Sequence, residues 1–104
     1  MVVYIAGRIS GIAKYEAKFE ERAKILKASG YEIVSPIVVA EHLAMVLGRE
    51  PSYAEIMRAD LKELLRCDGI SLLDNWKSSK GARLEKKVAE ICGLAFVECY
   101  KLEA

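Results

Sequence analysis

The sequence predicts an α/β fold built on a parallel sheet, and three observations lead to that reading. Short apolar runs recur along the chain at Val2–Ala6, Tyr31–Ser35, Gly69–Leu73 and Leu94–Cys99. Longer stretches with apolar residues at helical spacing separate them. The runs are apolar almost without interruption instead of alternating, as strands are when helices cover both faces of a sheet. Alternating strands and helices favour right-handed crossovers. The simplest arrangement is a three-layer sandwich whose parallel sheet has four strands, or five, in the order 2-1-3-4.

Each element has its own local signals. Val2–Ala6 is β-rich and ends at Gly7, so it reads as a buried strand. The segment GRISGIAKY follows, and a helix of roughly 16 residues then runs to Ser29 and Gly30, a good C-terminal stop. Tyr31–Ser35 reads as the second strand, ended by Pro36, and Ile37–Leu47 as a short helix stopped by Gly48. Ser52 is the expected N-cap of the next helix, with Gly69 past its end. After the third strand, the polar turn DNWKSSKG leads into a last helix stopped by Gly93, and then the fourth strand.

Composition bounds the function. The 104 residues make a single domain, 1–104, with 53% hydrophobic and 30% charged residues, enough for one real core. A formal net charge of +1 gives no field directed at nucleic acid, and the basic residues are intermixed with acids on helix faces. No stretch approaches the roughly 20 apolar residues needed to span a bilayer. The apolar run at the start is too short for a signal peptide and has no basic residue before it. Cys67, Cys92 and Cys99 are odd in number and form no C-x-x-C pair. Two fall within helical or strand patterns, where cysteine acts as a small buried hydrophobe. A cytoplasmic protein is the expectation. His42 stands alone without metal-ligand spacing, so neither a metal nor another cofactor is expected.

Two carboxylates interrupt otherwise regular helices. Successive helical residues turn by about 100°. On that wheel Gly81, Val88, Ala89 and Cys92 share one side of the last helix, while Arg83, Lys86, Lys87 and Glu90 share the other. Glu85 falls in the middle of the apolar group. The preceding helix repeats the pattern: Tyr53, Ile56, Met57, Leu61 and Leu64 form its apolar side, and Asp60 lies among them. In the first helix Arg22 intrudes on the stripe of Tyr15, Phe19, Ala23 and Leu26. A long arginine can snorkel to water along its own stem, but Asp60 cannot. A desolvated, unpaired carboxylate costs several kcal/mol or takes up a proton. Glu85 near a helix start gains from the dipole, and Asp60 could hold a loop, so one misplaced acid would carry little. Two such acids on helices flanking the same strand point to a site, since carboxylates in different environments can act as nucleophile and acid together.

In a sheet of this order, ligands bind beyond the carboxyl ends of the strands where the order reverses, here between strands one and three. The loops beside that crevice are Gly7–Arg8–Ile9–Ser10–Gly11 and the segment from Asp74 to Gly81. Ser79 and Gly81, with their neighbours, offer hydroxyls, a lysine and the N–H groups of a helix start, a suitable pocket for an anion. Arg8 and the glycine loop can add more donors. Serines before a helix are also ordinary caps. Tyr4, near the end of the first strand, is either a core aromatic with a bonded hydroxyl or a donor that orients a carboxylate across the crevice. Trp76 either walls a ligand or packs against the surface.

These residues resemble a known family. VYIAGRISG near the start, ADLKELLRCDGISLL in the middle and WKSSKGARLEKKVAE near the end are similar to the nucleoside 2-deoxyribosyltransferase superfamily, over most of the chain. The resemblance implies a flavodoxin-like fold and cleavage of N-glycosidic bonds. It implies that Glu85 attacks the anomeric carbon, that Tyr4 orients that carboxylate, and that Asp60 acts on the leaving-group side. In the branch that hydrolyses nucleoside 5'-monophosphates, a serine six residues before the glutamate contacts the phosphate. Ser79 holds that position, so a nucleotide is implied over a nucleoside. The transferases working on free nucleosides tend to carry an acid there. Substrate contacts are expected from Gly7, Arg8, Ile9, Ser10, Gly11, Trp76, Ser79 and Gly81. The partner implied is a small-molecule nucleotide or nucleoside, with no nucleic acid and no membrane, and the assembly a homodimer or larger homo-oligomer. The sequence is shorter than typical transferases and lacks the C-terminal extension that helps complete a neighbour's site. The resemblance therefore does not say which residues read the base. A non-catalytic nucleotide-binding module of the same fold is the alternative expectation.

Overall fold

The computed structural model describes residues 1–98. The elements run β1 (Val2–Ala6), α1 (Tyr15–Ala28), β2 (Glu32–Val34), α2 (Pro36–Leu47), α3 (Tyr53–Leu64), β3 (Gly69–Leu72), α4 (Lys80–Ile91) and β4 (Ala95–Phe96). A 3-10 turn at Trp76–Ser78 precedes α4. The four strands are all parallel and lie in the order β2-β1-β3-β4. This is the α/β three-layer arrangement and strand order expected from the sequence.

The two faces of β1 show why the strands are apolar throughout. Val3 and Ile5 point to one side, where Phe19 and Leu26 of α1 cover them. Tyr4 and Ala6 point to the other, against Leu64 of α3 and Ala82 and Ala89 of α4. Val3 to Ala6, four of the five β1 residues, are fully buried. Burying each large side chain contributes about 1.5–3 kcal/mol, so a central strand coated on both faces anchors the domain. Tyr4 sits opposite Val34 of β2 and Ile70 of β3, in the middle of the sheet.

Boundaries differ from expectation for local reasons. α2 begins at Pro36, one residue before the expected Ile37, because Ser35 caps it and proline fits the first helical position. The Ser35 hydroxyl accepts the Ile37 N–H at 3.3 Å. β2 is accordingly shorter than Tyr31–Ser35. β4 covers only Ala95–Phe96 of the expected Leu94–Cys99, although the Val97 N–H still donates to the Ile70 carbonyl at 2.9 Å. Cys99 lies outside the described residues. α3 has the expected Ser52 cap, completed by a reciprocal bond from Glu55, whose carboxylate accepts the Ser52 N–H.

Two side chains depart from their sequence reading. Arg22 does not snorkel to water. Its Nη1 donates to the Ser71 hydroxyl and to the Leu72 carbonyl, both at 2.8 Å, and so fastens α1 to the end of β3. Ser71 is fully buried, and an inward guanidinium is the partner its hydroxyl needs. Cys67 is buried, but Cys92 is exposed where α4 ends, beyond the helix face that faces the sheet. Among the described residues no helix is long and apolar enough to cross a membrane.

The carboxyl ends of β1 and β3 close on each other at Gly7. A Cβ added there would lie 2.5 Å from Cδ1 and 2.8 Å from Cβ of Leu73. The Leu73 Cβ is fixed to the backbone and cannot rotate aside. We expect Gly7→Ala to destabilise the fold by about 1–3 kcal/mol, read from the urea midpoint. An unchanged midpoint would show that the two strand ends have slack.

Candidate active site

Three elements deliver three polar side chains to one buried point. Tyr4 comes from the α3/α4 face of β1, Asp60 from α3 and Glu85 from α4. Tyr4 is 0%, Asp60 5% and Glu85 4% exposed, so the group is almost sealed from solvent. The Tyr4 hydroxyl donates a short hydrogen bond to Glu85 Oε2. Asp60 Oδ1 is buried with no hydrogen-bond partner. Tyr4 is thus a fully buried aromatic whose hydroxyl is bonded to a carboxylate, an arrangement common to both readings of Tyr4.

The close approach of α3 and α4 is what brings the acids together, and Gly81 permits it. A Cβ on Gly81 would stand 3.1 Å from Met57 Sδ and 3.2 Å from Tyr53 Oη. Gly81 and Glu85 are one turn apart on α4, and Met57 and Asp60 nearly one turn apart on α3. The helices touch at their amino-terminal turns, and the carboxylates meet one turn deeper.

Burial sets the protonation of the pair. Loss of water pushes the Glu85 carboxyl up to about 8; the Tyr4 hydrogen bond opposes this, and the nearby Asp60 adds to it. Burial alone pushes Asp60 up to about 7. Tyr4 is raised well above its ordinary value, first by burial and then by the charges of Glu85 and Asp60. Near neutral pH the two carboxyls hold protons that exposed acids would have lost. As pH rises through about 7 to about 8 the pair gives up one proton before the other, and in that range it holds an acid and a base together.

The flanking loops are tied to each other. The Arg8 N–H donates to Asn75 Oδ1 at 2.9 Å, which joins the loop after β1 to the loop after β3. Asn75 Nδ2 is buried without a partner. The Arg8 side chain folds back on its own loop, its Nε donating to the Ser10 carbonyl at 2.9 Å. Ile9 packs with the α1-side core, while Ser10 and Gly11 are exposed, Gly11 with a φ of 74°. Gly7 is buried against Leu73. Ser79 caps α4, its hydroxyl accepting the Ala82 N–H at 3.1 Å. Trp76 packs on the α3/α4-side core, with the ammonium groups of Lys86 and Lys77 at 5.2 and 5.8 Å from its ring centroid. Its ring is thus engaged within the protein.

The structure bonds Tyr4 to Glu85, buries the Asp60 carboxyl close enough to act on both by charge, and ties the two loops to each other. Four side chains take parts that the sequence reading did not assign to them. Asn75 and Arg22 act through single long-range hydrogen bonds, which leave no periodic signal. Tyr53 and Met57 were legible only as apolar helix residues; their register with Asp60, at i and i+4 on the same face, was the available clue. Two hollows lie elsewhere: one of about 670 Å³ between α1 and α2, and one of about 270 Å³ between α1 and the end of β3. Neither is lined by the carboxylates. Among the described residues no group of three or more His, Cys, Asp or Glu could hold a metal.

The raised carboxyls make stability depend on pH. Their native values of about 8 and about 7 exceed the ordinary 4.5 and 3.8. The native state thus binds more protons than the unfolded chain. This contribution is fully present below the unfolded values and is lost as pH rises through the native ones. Glu85→Gln keeps an acceptor for Tyr4 without a charge. We expect it to stabilise the protein more at about pH 9 than at about pH 5, by on the order of a few kcal/mol, seen as a larger rise in melting temperature at the higher pH. Parallel melting curves for the two proteins would show that Glu85 does not titrate in this range.

No curated protein matches the chain. A family model does match, and the span it covers holds every side chain of this cleft, from Tyr4 on the central strand to Glu85 on the last helix. On that match over residues 1–98 the chain belongs to the family described as a domain of unknown function, DUF4406.

Proposed function

We propose that the protein cleaves the N-glycosidic bond of a nucleoside 5'-monophosphate or nucleoside, ribo or deoxy, by hydrolysis or by transfer to a second base. The observation that carries this reading is the buried Tyr4–Glu85 hydrogen bond with the unpartnered Asp60 carboxyl beside it. A carboxylate excluded from water and held by one oxygen leaves the other free to attack. The resemblance to nucleoside 2-deoxyribosyltransferases names the same three residues.

In this mechanism ionised Glu85 forms a bond to the anomeric carbon as the carbon–nitrogen bond breaks. The bonding electrons leave with the base, and protonated Asp60 supplies a proton to it. The oxocarbenium-like transition state is stabilised by the carboxylate it faces. Water, or a second base, then displaces the sugar from the glutamyl ester and restores Glu85. The hydroxyl of Tyr4 keeps Glu85 aimed throughout.

A 5'-phosphate fits the start of α4. Ser79 uses its oxygen as an acceptor for the helix, so its hydrogen remains available to an anion at the positive end of the helix dipole. A homodimer or larger homo-oligomer agrees with the exposed apolar stripe of α2, where Val38, Met45 and Val46 are 62, 82 and 69% exposed. A cytoplasmic location agrees with the free thiols of Cys67 and Cys92.

Base release from a panel of ribo- and deoxyribonucleoside 5'-monophosphates, with the matching nucleosides, is the direct test. We expect release by the wild type, measured by chromatography, and none by Glu85→Ala. The pH profile of the rate should be bell-shaped with its maximum between about 7 and about 8, where the pair holds a single proton; the reacting form, with that proton on Asp60 and Glu85 ionised, is the minor of the two singly protonated forms. Ser79→Ala should cost about 1 kcal/mol of stability through the lost cap and raise KM for monophosphates more than for nucleosides. Absence of base release, together with nucleotide-dependent thermal stabilisation, would replace the enzyme with a nucleotide-binding module.

A further inference from the structure

The acids meet one turn below the place where α3 and α4 touch. Tyr53, Met57 and Asp60 lie at i, i+4 and i+7 on α3, a single line along one face. Along the axis Met57 stands about 4.5 Å and Tyr53 about 10 Å from Asp60. On α4 the facing position is Gly81, one turn before Glu85. With no side chain at Gly81, the Tyr53 hydroxyl and the Met57 thioether rest against the first turn of α4.

Two features of this seam are unexplained by folding alone. Tyr53 is 58% exposed, although it belongs to the apolar side of its helix. An aromatic ring whose tip touches protein and whose faces reach solvent is an open stacking surface. At the inner end of the same line, Asp60 is 5% exposed with its Oδ1 unpartnered. A buried polar atom without a partner is rare and costly. The line therefore runs from an uncovered flat surface to an unanswered hydrogen-bonding group. A planar molecule with polar edges satisfies both at once.

We propose that Tyr53 and Met57 form the platform on which the planar heteroaromatic base of the substrate stacks, with Gly81 leaving the room that lets both side chains lie against α4. This rests on the N-glycosidic reading and deepens it by naming a base-recognition surface. Stacking on Tyr53 and the Met57 sulfur holds the ring by its faces. The ring edge that bears the glycosidic nitrogen then lies toward Asp60, and the anomeric carbon toward Glu85. Recognition of the base would come from the chain's own α3.

The test measures equilibrium binding by calorimetry in the Glu85→Gln background, which prevents turnover. The probes are the four common deoxynucleoside 5'-monophosphates and 2-deoxyribose 5-phosphate, which has no base. Added Tyr53→Ala should weaken the nucleotides about tenfold and leave the sugar phosphate unaffected. Tyr53→Phe should recover most of the loss, because it restores the ring. Gly81→Ala, whose Cβ would press on Met57 and Tyr53, should weaken nucleotides in the same selective way, and circular dichroism would confirm that each variant is folded. Equal loss for nucleotides and sugar phosphate, or no loss at all, overturns the platform while leaving base release by the wild type intact. Failure of every nucleotide to bind, with no base release by the wild type, overturns both the platform and the glycosidic reading.

Discussion

The hydrogen bond between Tyr4 and Glu85 joins the central strand to the last helix inside the protein, and much of the fold is arranged to make it possible. Taking a carboxylate out of water costs several kcal/mol unless a donor answers it. Here the donor comes from the middle of the most buried strand, which the core on both faces holds in place. The acceptor comes from a helix that must approach α3 closely enough to bury its own acid. Gly81 on α4 and the small residues Ala82 and Ala89 allow that approach. The bond only partly relieves the burial, and Asp60 alongside adds to the strain of holding charge there. A domain of this size has few kcal/mol to spare, and the costly pair at its centre is the feature on which the proposed activity rests.

The opposite face of the sheet does quieter work. Arg22 reaches from α1 to the end of β3, and Asn75, three residues beyond that strand, holds the backbone of Arg8. Gly7 packs against Leu73 between the same two strand ends. Together these contacts fix the loops after β1 and β3 relative to each other without occupying the face that carries the carboxylates. The loops are thus fixed by Arg22 from α1 and by the single loop side chain of Asn75. Other loop residues, such as Ile9 and Trp76, are spent on packing.

Much of this was legible in the linear chain because periodicity encodes burial. The continuous apolar runs marked strands covered on both faces, and the sheet order followed from strand–helix alternation. Glu85 and Asp60 stood out because each sits at a helix phase that should be apolar, and both are indeed buried. Caps at Ser52 and Ser79 were visible because they depend on neighbours only a few residues away. Arg22 was misjudged on the same logic: an arginine on an apolar stripe can escape to water or turn inward, and periodicity does not distinguish the two. The answer depended on Ser71, which is 49 residues distant in sequence.

The sequence by itself determined the apolar central strand, the cap at Ser52 and the stop at Gly48, and that two acids would have to leave water. Those properties follow from local propensity and from the hydrophobic pattern of each element alone. Only the tertiary structure decided which groups meet. Tyr4 and Glu85 are 81 residues apart, and their bond exists because the strand order places β1 beside β3 and the crossover lays α4 over both. The same packing left Asp60 Oδ1 without a partner and Tyr53 uncovered at the seam. Contacts of that kind depend on how elements pack in three dimensions, and no spacing along the chain records them.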